Sequence, residues 1–190
     1  MPAEIAARRD REQPTWVFAY GSLLWDPQLD HAAAEPALLH GYHRSFCLYS
    51  YDYRGTPGRP GLTLGLDRGG SCRGMVLPLA REAFDRVWER EMSGRPVYQA
   101  RLLAVRTGRC ARKALAFTVL REGPDYAGPL PHDAAARLIL DAIGRRGSCR
   151  EYLEFTLRRL DELGLADRPL CRLAERVAAL AALDDLHSRF

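Results

Sequence analysis

The stretch Trp16-Val17-Phe18-Ala19-Tyr20-Gly21-Ser22-Leu23-Leu24-Trp25-Asp26-Pro27 decides how the rest of the chain is interpreted. Its first half is an apolar run with aromatic and β-branched residues, which is typical of a buried strand. Gly21-Ser22 suits a sharp turn that leaves backbone N–H groups free to face a small ligand. Asp26-Pro27 then favours a loop. The pattern alone is also that of an ordinary core strand followed by a turn.

Length and composition are those of a folded globular protein, with 190 residues of which 47% are hydrophobic and 27% charged. No run approaches the roughly 18 uninterrupted apolar residues that a membrane helix needs, so we expect no membrane association. Residues 1–14 carry three arginines without a following apolar segment, which argues against a secretory signal. We therefore expect a disordered leader over 1–14 and a single domain over 15–190.

The formal net charge of +4 does not indicate a nucleic-acid partner. Arginines are spread along the chain among Asp and Glu residues, and Lys113 is the only lysine. No basic run is interleaved with aromatic residues in the manner of a single-strand-binding platform. The charge is compatible with a mild attraction for anionic small molecules.

Cysteine usage favours a reducing compartment, and we expect a cytoplasmic protein. The cysteines are odd in number and far apart, and none forms a C-x-x-C pair, so neither a zinc site nor a thioredoxin-like motif is predicted. Buried or incidental thiols are the favoured interpretation, although a cysteine nucleophile with a distant histidine stays open. The five are Cys47, Cys72, Cys110, Cys149 and Cys171.

Strand patterns precede helical ones along the chain. Helical spacing predicts one helix over Arg81–Met92 and further helices after His132. Two apolar runs around Asp67-Arg68-Gly69-Gly70 predict a hairpin. The other predicted strands cover residues 16–20, 42–51, 98–106 and 114–120. This order predicts an α+β fold, with a mostly antiparallel sheet curled into a small barrel and flanking helices.

The segment from Asp52 to Gly61 is so rich in glycine and proline that it is predicted to be a loop. It contains Arg54 and Arg59, whose guanidinium groups can bind a carboxylate bidentately. The alternative is a solvated connection, and composition alone leaves both interpretations open.

Glu91 lies at the end of the predicted helix over Arg81–Met92. Residues three and four apart on a helix are neighbours, so Glu91 falls near the face that carries Phe84, Val87 and Trp88. The adjacent Glu89 and Arg90 are predicted to point elsewhere. A carboxylate beside apolar residues can act as a general base, and one at a solvated helix end has no such role. The spacing leaves both possibilities open.

Five segments in order resemble the ChaC-type γ-glutamylcyclotransferases. The first stretch contains that family's Y-G-S-L signature, and Arg54-Gly55-Thr56-Pro57-Gly58-Arg59-Pro60-Gly61 is similar to its R-G-T-P-x-x-P-G loop. Trp88-Glu89-Arg90-Glu91-Met92 resembles the segment that carries its catalytic glutamate. Tyr126-Ala127-Gly128-Pro129-Leu130 is similar to its Y-x-G-P-L loop, and Cys149-Arg150-Glu151-Tyr152-Leu153 to its R/A-x-Y-L helix start.

Two departures bear on substrate preference. Tyr53 stands where members often have a histidine before the R-G-T segment. The residues between Glu91 and Tyr98 do not reproduce the Gly-Gly-Tyr that follows the glutamate in many relatives. Tyr98 is the candidate for that tyrosine position.

The resemblance implies a γ-glutamylcyclotransferase that degrades glutathione to 5-oxoproline and Cys-Gly. The implied general acid/base is Glu91. Backbone amides would hold the glutamyl carboxylate or the developing oxyanion, tyrosines would line the pocket, and an arginine would meet the glycyl end. The substrate-binding candidates are Tyr20, Gly21, Ser22, Leu23, Arg54, Tyr98 and Tyr126. The resemblance implies a small-molecule γ-glutamyl substrate and no metal or other cofactor.

Three alternatives remain open from the sequence. The chain could cyclise other γ-glutamyl peptides or γ-glutamyl-amines. It could be a non-catalytic γ-glutamyl sensor or a regulator of a transporter, although a binding protein has no need of a base at Glu91. A thiol enzyme that uses one of the cysteines is the third.

Overall fold

The apolar run that opens the sequence forms a strand whose side chains are almost all buried, as its composition predicts. This strand belongs to a closed barrel with the strand order β1-β3-β2-β4-β5 in a computed structural model that describes residues 1–108 and 110–187. The strands are β1 (Thr15–Ala19), β2 (Glu35–Ser50), β3 (Gly61–Leu79), β4 (Tyr98–Thr107) and β5 (Cys110–Val119).

Pairing in the barrel is mostly antiparallel, which confirms the predicted sheet. β1 pairs antiparallel with β3, with Val17 opposite Leu77, and β4 pairs antiparallel with β5 along its whole length. The parallel contact between β1 and β5, with Val17 opposite Leu115, completes the barrel order. The core cluster contains large apolar side chains and small ones that allow strands to pack closely. Its members include Phe18, Leu39, Leu66, Val76, Val105, Ala114 and Ala116.

The predicted helices are present. The helix predicted before the second strand pair is α2 (Arg81–Met92), with the predicted bounds, and a helix that was not predicted, α1 (Ala3–Arg9), precedes the barrel strands. The later ones are α3 (His132–Asp141), α4 (Cys149–Glu162) and α5 (Arg168–His187). A two-stranded sheet of β6 (Ile143–Gly144) and β7 (Gly147–Ser148) precedes α4. Among the described helices, none combines the length and apolarity required to cross a membrane.

The predicted hairpin around residues 67–70 is wrong. Residues 61–79 form the single strand β3, and Gly69 and Gly70 lie inside it with φ values of 106° and 66°. Glycine takes such angles without steric cost, so the pair changes the local backbone and does not end the strand. The ring Nδ1 of His43 lies 3.1 Å from the Gly69 carbonyl oxygen, which gives that irregular point a polar contact.

Part of the expected disordered leader is a helix. Ile5 of α1 is buried, and Arg9 donates hydrogen bonds of 2.7 and 2.6 Å to the two carboxylate oxygens of Asp85. Seven residues are too few for a stable isolated helix, so α1 depends on these tertiary contacts. A contact with a residue 76 positions away has no signature in the local sequence.

The chain divides into two compact units. The first unit comprises Met1–Arg44 and Leu66–Gly123, and the second comprises Ser45–Gly65 and Pro124–Phe190. The chain passes between them inside β2, inside β3 and after β5. Two of these three crossings lie within strands, so at those two points neither a linker nor a change in composition separates the units in the sequence. The single domain over 15–190 stays a prediction.

Candidate active site

The turn at Gly21-Ser22 lies in the first unit, directly after β1. Ser22–Leu24 form one turn of 3₁₀ helix, closed by the hydrogen bond from the Leu24 N–H to the Gly21 carbonyl at 2.9 Å. The start of any helix leaves N–H groups without an intrahelical acceptor. Within the part of the chain that the structure describes, no hydrogen bond engages the amides of Gly21, Ser22 or Leu23. This turn therefore offers three adjacent donors to an anionic or carbonyl oxygen.

Two buried side chains hold the residue before this turn. The hydroxyl of Tyr20 donates a 2.9 Å hydrogen bond to the carbonyl of Phe117 on β5. Arg44, only 4% exposed, donates from Nε to the Tyr20 carbonyl and from Nη2 to the Arg73 carbonyl. The hydroxyl proton of Tyr20 is thus engaged with the sheet, and the predicted role of this residue in lining the pocket stays a prediction.

Glu91 lies on the side of α2 that faces the protein, as its spacing predicts. Phe84 and Val87 of that face are buried, and the Phe84 ring stacks on Trp88 with centroids 6.0 Å apart. The Glu91 side chain is 14% exposed. The alternative of a fully solvated glutamate at the helix end is therefore contradicted by its burial.

Arg90 does not point away from Glu91, and that detail of the sequence interpretation is wrong. Its Nε and Nη2 donate hydrogen bonds of 2.9 and 2.7 Å to Glu91 Oε1, and its Nη1 donates to Asp26 Oδ2. Burial acts to lower the pKa of the Arg90 guanidinium, but the two carboxylates outweigh burial and raise it. Arg90 thus joins the Glu91 segment to the loop that follows Gly21-Ser22. In the sequence, only the position of Arg90 directly before Glu91 could have indicated this ion pair.

Tyr98 begins β4 in the same unit and pairs with Val119 of β5. The N–H of Leu120 donates to the Val97 carbonyl at 3.0 Å, which anchors the start of the strand. Gly94, at a φ of 78°, turns the chain between α2 and β4. Six of the eight predicted site residues, all except Arg54 and Tyr126, therefore lie in the first unit.

Arg54 lies in the second unit, at the start of the glycine-rich and proline-rich loop. Its Nη1 donates a 3.2 Å hydrogen bond to the Ser148 carbonyl, and its guanidinium carbon lies 5.0 Å from the centre of the Tyr152 ring. Burial lowers the pKa of this guanidinium. Through these contacts Arg54 joins its loop to the start of α4, which is a structural role separate from any contact with a substrate.

Two glycines explain the shape of this loop. A Cβ added at Gly55 would lie 2.2 Å from the Gly61 nitrogen, and one at Gly61 would lie 2.1 Å from the Arg54 carbonyl oxygen. The two ends of the loop therefore touch backbone to backbone. Thr56 and Arg59 close its tip by reciprocal hydrogen bonds of 3.0 and 3.1 Å.

Tyr126 also lies in the second unit, on a segment that lies along β2. Its flanking residues are tied to that strand, because the Tyr49 N–H donates to the Asp125 carbonyl and the Ala127 N–H to the Cys47 carbonyl, both at 2.8 Å. Tyr126 is half-buried, and the next glycine, Gly128, has a φ of 73°.

Other chemistry is not evident among the described residues. They contain no group of three or more His, Cys, Asp or Glu side chains placed to hold a metal ion. All five cysteines are free thiols. The buried Cys149 donates to the Leu62 carbonyl at 2.9 Å, and burial raises the pKa of its thiol to about 11. A neutral thiol is a poor nucleophile, which disfavours Cys149 as the reactive group of a thiol enzyme.

The barrel thus carries a donor-rich turn after its first strand, and a shielded glutamate ends α2. The family model described as "ChaC-like protein" matches residues 15–180. The chain belongs to the ChaC-like family.

Relatives and solved structures agree with this assignment. The chain is 34% identical over 187 residues to the glutathione-specific gamma-glutamylcyclotransferase of Escherichia coli K12, covering 96% of this chain and 80% of that protein. It is 30% identical over 161 residues to the human glutathione-specific gamma-glutamylcyclotransferase 1, covering 80% and 72%. The crystal structure of a yeast gamma-glutamyl cyclotransferase specific to glutathione superposes with a TM-score of 0.78 at 21% identity, over 88% of this chain and 99% of that one. The structural match shows the shared fold.

Proposed function

We propose that this protein is a γ-glutamylcyclotransferase that degrades glutathione. The observation that carries the proposal is that one unit contains both features: three unengaged backbone amides at Gly21–Leu23 and a carboxylate at Glu91 that is shielded from water. The E. coli and human relatives, both named as glutathione-specific cyclotransferases, support the substrate.

The reaction is an intramolecular aminolysis. The α-amine of the glutamyl unit attacks its own γ-amide carbonyl, a new C–N bond closes the five-membered lactam, and the original γ-amide C–N bond breaks. The products are 5-oxoproline and Cys-Gly, so no water or co-substrate is consumed. Because the nucleophile is tethered to its target, the protein mainly has to hold the glutamyl chain in a ring-like conformation and move protons.

Glu91 is the group proposed to move them. It accepts a proton from the α-ammonium to release the nucleophile, and it returns a proton to the departing nitrogen. Both hydrogen bonds from Arg90 to Glu91 end on Oε1, and no described residue donates one to Oε2. We assign the proton transfers to Oε2.

The remaining predicted residues are proposed to bind the substrate. The amides of Gly21, Ser22 and Leu23 stabilise the glutamyl carboxylate or the oxyanion that develops on the γ-carbonyl. Tyr20, Tyr98 and Tyr126 are the proposed tyrosine contacts of the substrate. Arg54 binds the glycyl carboxylate, and in that case an Arg54→Lys variant raises KM for glutathione more than for γ-glutamylcysteine, which lacks the glycine.

The test is product formation by the purified protein beside Glu91→Gln, with Glu89→Gln as the matched control. Glu89 is exposed on the same helix, so its neutralisation tests for a general charge effect. We expect 5-oxoproline and Cys-Gly, measured by mass spectrometry, from the parent and from Glu89→Gln. Glu91→Gln is expected to lose at least about 100-fold in kcat, the scale of general acid–base catalysis.

The other outcomes separate the alternatives. Products from a folded Glu91→Gln protein would keep the reaction and remove Glu91 as the base. Turnover of other γ-glutamyl peptides or amines in preference to glutathione would identify a broader cyclotransferase. Binding of glutathione without any product would identify a γ-glutamyl sensor or a transport regulator. Cytoplasmic localisation is part of the proposal, because the five free thiols suit a reducing compartment.

A further inference from the structure

Arg90 has an unusual position for an ion-pair partner of Glu91. Adjacent residues on a helix project in directions about 100° apart and do not normally meet, since 3.6 residues make one turn. The Arg90 side chain nevertheless folds back, so that Nε and Nη2 both donate to Glu91 Oε1. Helix spacing alone therefore does not account for the contact.

A third group from a distant part of the chain anchors the guanidinium. Asp26, 64 positions earlier, accepts the hydrogen bond from Arg90 Nη1 on its Oδ2. Its other oxygen, Oδ1, accepts the Gln28 N–H at 2.9 Å, which closes an Asx turn and fixes the carboxylate. The planar guanidinium is thus held between two carboxylates, as its fork geometry permits.

Both carboxylates are shielded from water. The Asp26 and Glu91 side chains are 12% and 14% exposed, and Arg90 is 29% exposed. Ion pairs in such surroundings are screened less by salt than surface pairs, and losing one partner leaves the other poorly solvated. The Asp26–Arg90–Glu91 chain therefore restricts the Glu91 carboxylate to one orientation.

We infer that Arg90 is a positioning residue that holds the Glu91 carboxylate, with Asp26 as its anchor. The inference rests on the proposed function for its effect on turnover. By engaging Oε1, Arg90 directs Oε2 at the substrate amine, and Asp26 prevents the guanidinium from swinging into solvent. The residues after Gly21-Ser22 thus serve the base as well as the turn.

The structure also provides a direct way to test this role. Arg90 lines a cavity of about 280 Å³ together with Asp26, Arg86 and Glu89. Truncation of Arg90 to alanine extends this cavity towards Glu91, so a guanidinium ion from solution can occupy the vacated place. Its charge and planar donors match those of the lost group.

The first experiment is kinetic. We expect Arg90→Ala to lose about 100-fold in kcat, the cost of a misplaced catalytic group, with KM changed less than about threefold. Added guanidinium at millimolar concentration restores kcat saturably, whereas sodium at equal ionic strength does not. Arg90→Lys retains more activity than Arg90→Ala but less than the parent, and Asp26→Asn loses kcat severalfold. Arg86→Ala, one turn earlier and lining the same cavity, is the control that keeps its kcat and ignores guanidinium.

The second experiment does not depend on turnover. A double-mutant cycle of Arg90→Met and Glu91→Gln, followed by urea unfolding, is expected to show a coupling of about fivefold in the unfolding equilibrium constant. Additive effects in this cycle would overturn the inference. So would an Arg90→Ala protein with the parent's kcat, or one whose loss appears in KM and does not respond to guanidinium.

Failure of the proposed function has a different signature. A parent protein without cyclotransferase activity, but with a coupled cycle, would retain the Asp26–Arg90–Glu91 chain and contradict the reaction. Should Arg90→Ala fail to fold, Arg90→Lys and Asp26→Asn carry the same kinetic prediction.

Discussion

Arg44 Nε donates a hydrogen bond to the carbonyl oxygen of Tyr20, the last residue before the Gly21-Ser22 turn. The guanidinium is almost fully buried, and it also donates to the Arg73 carbonyl on β3 at 2.6 Å. An arginine on β2 therefore ties the exit of β1 to β3. Arg44 thereby holds the residue from which the turn starts, a contact that the sequence pattern did not predict.

Replacement of Arg44 by methionine should destabilise the protein and disturb the turn. Two carbonyls would lose buried donors, and each such loss costs about 1–3 kcal/mol. We expect the free energy of unfolding in urea to fall by about 2–4 kcal/mol and kcat/KM to fall with it. The exposed Arg68, whose side chain donates no hydrogen bond to a described residue, provides the control Arg68→Met. Equal stabilities of the two variants would contradict the role of Arg44.

Glycine is required at Gly55 and not at Gly58 of the same loop. A Cβ at Gly55 would lie 2.2 Å from the Gly61 nitrogen and 2.5 Å from the Ser50 carbonyl oxygen, and backbone atoms cannot move aside cheaply. No described atom lies within 4 Å of a Cβ at Gly58, so the matched control is Gly58→Ala. Gly55→Ala should lower the free energy of unfolding by at least about 2 kcal/mol, and Gly58→Ala by less than about 0.5 kcal/mol. If Gly55→Ala and Gly58→Ala had comparable unfolding midpoints in urea, the backbone around Gly55 would be able to move apart at little cost, which contradicts this prediction.

Because the Cys149 thiol is buried, we expect the protein to lose stability at alkaline pH. Burial raises the pKa of this thiol from 9.0 to about 11, so between these values the unfolded chain loses its proton before the folded one. The free energy of unfolding is unaffected below about pH 9 and falls as the pH rises towards 11, by about 2–3 kcal/mol in total.

The measurement for this pH effect is urea unfolding of the parent and of Cys149→Ser between pH 8 and 10.5. Tyrosine and lysine titrations are common to both proteins and cancel in the comparison. The serine variant should show a shallower decline. Parallel declines would mean that the thiol titrates alike in the folded and unfolded chains.

Thiol alkylation should leave the enzyme active. Cys110 and Cys171 are exposed, whereas Cys47, Cys72 and Cys149 are buried. Iodoacetamide at pH 8 is expected to modify the two exposed residues, as read by mass spectrometry, without loss of 5-oxoproline formation. Inactivation in step with modification of one cysteine would favour the thiol enzyme over the Glu91 reaction.

Elements with a clear local period could be predicted from the sequence. The spacing of Phe84, Val87 and Trp88 predicted α2 with its observed bounds, and the run from Tyr98 predicted β4. Gly69-Gly70 misled the prediction, because the pair is typical of a hairpin turn but here lies inside β3. Local composition cannot separate the two cases, since the strand continues only because its neighbours in the sheet hold it.

The candidate site was found through motifs, and its supporting groups were not. Glu91 and the Gly21-Ser22 turn stand out by type and context. Arg90 and Asp26 do not, because their contact joins residues 64 positions apart and depends on how one long side chain folds back. Arg54 could be named from its loop, but its contacts with Ser148 and Tyr152 come from a helix start about 95 residues further along.

The sequence by itself determined the class of fold, the family and the residue types available for chemistry, because periodicity and short motifs act over a few neighbouring residues. Tertiary structure alone decided that α1 packs through Arg9 on Asp85, that β3 runs unbroken through two glycines, and that Arg44 holds the turn after β1. It also decided that Arg90 donates two hydrogen bonds to one carboxylate oxygen of Glu91. Each of these depends on a contact that exists only once distant segments have packed, and burial then sets which polar groups must pair.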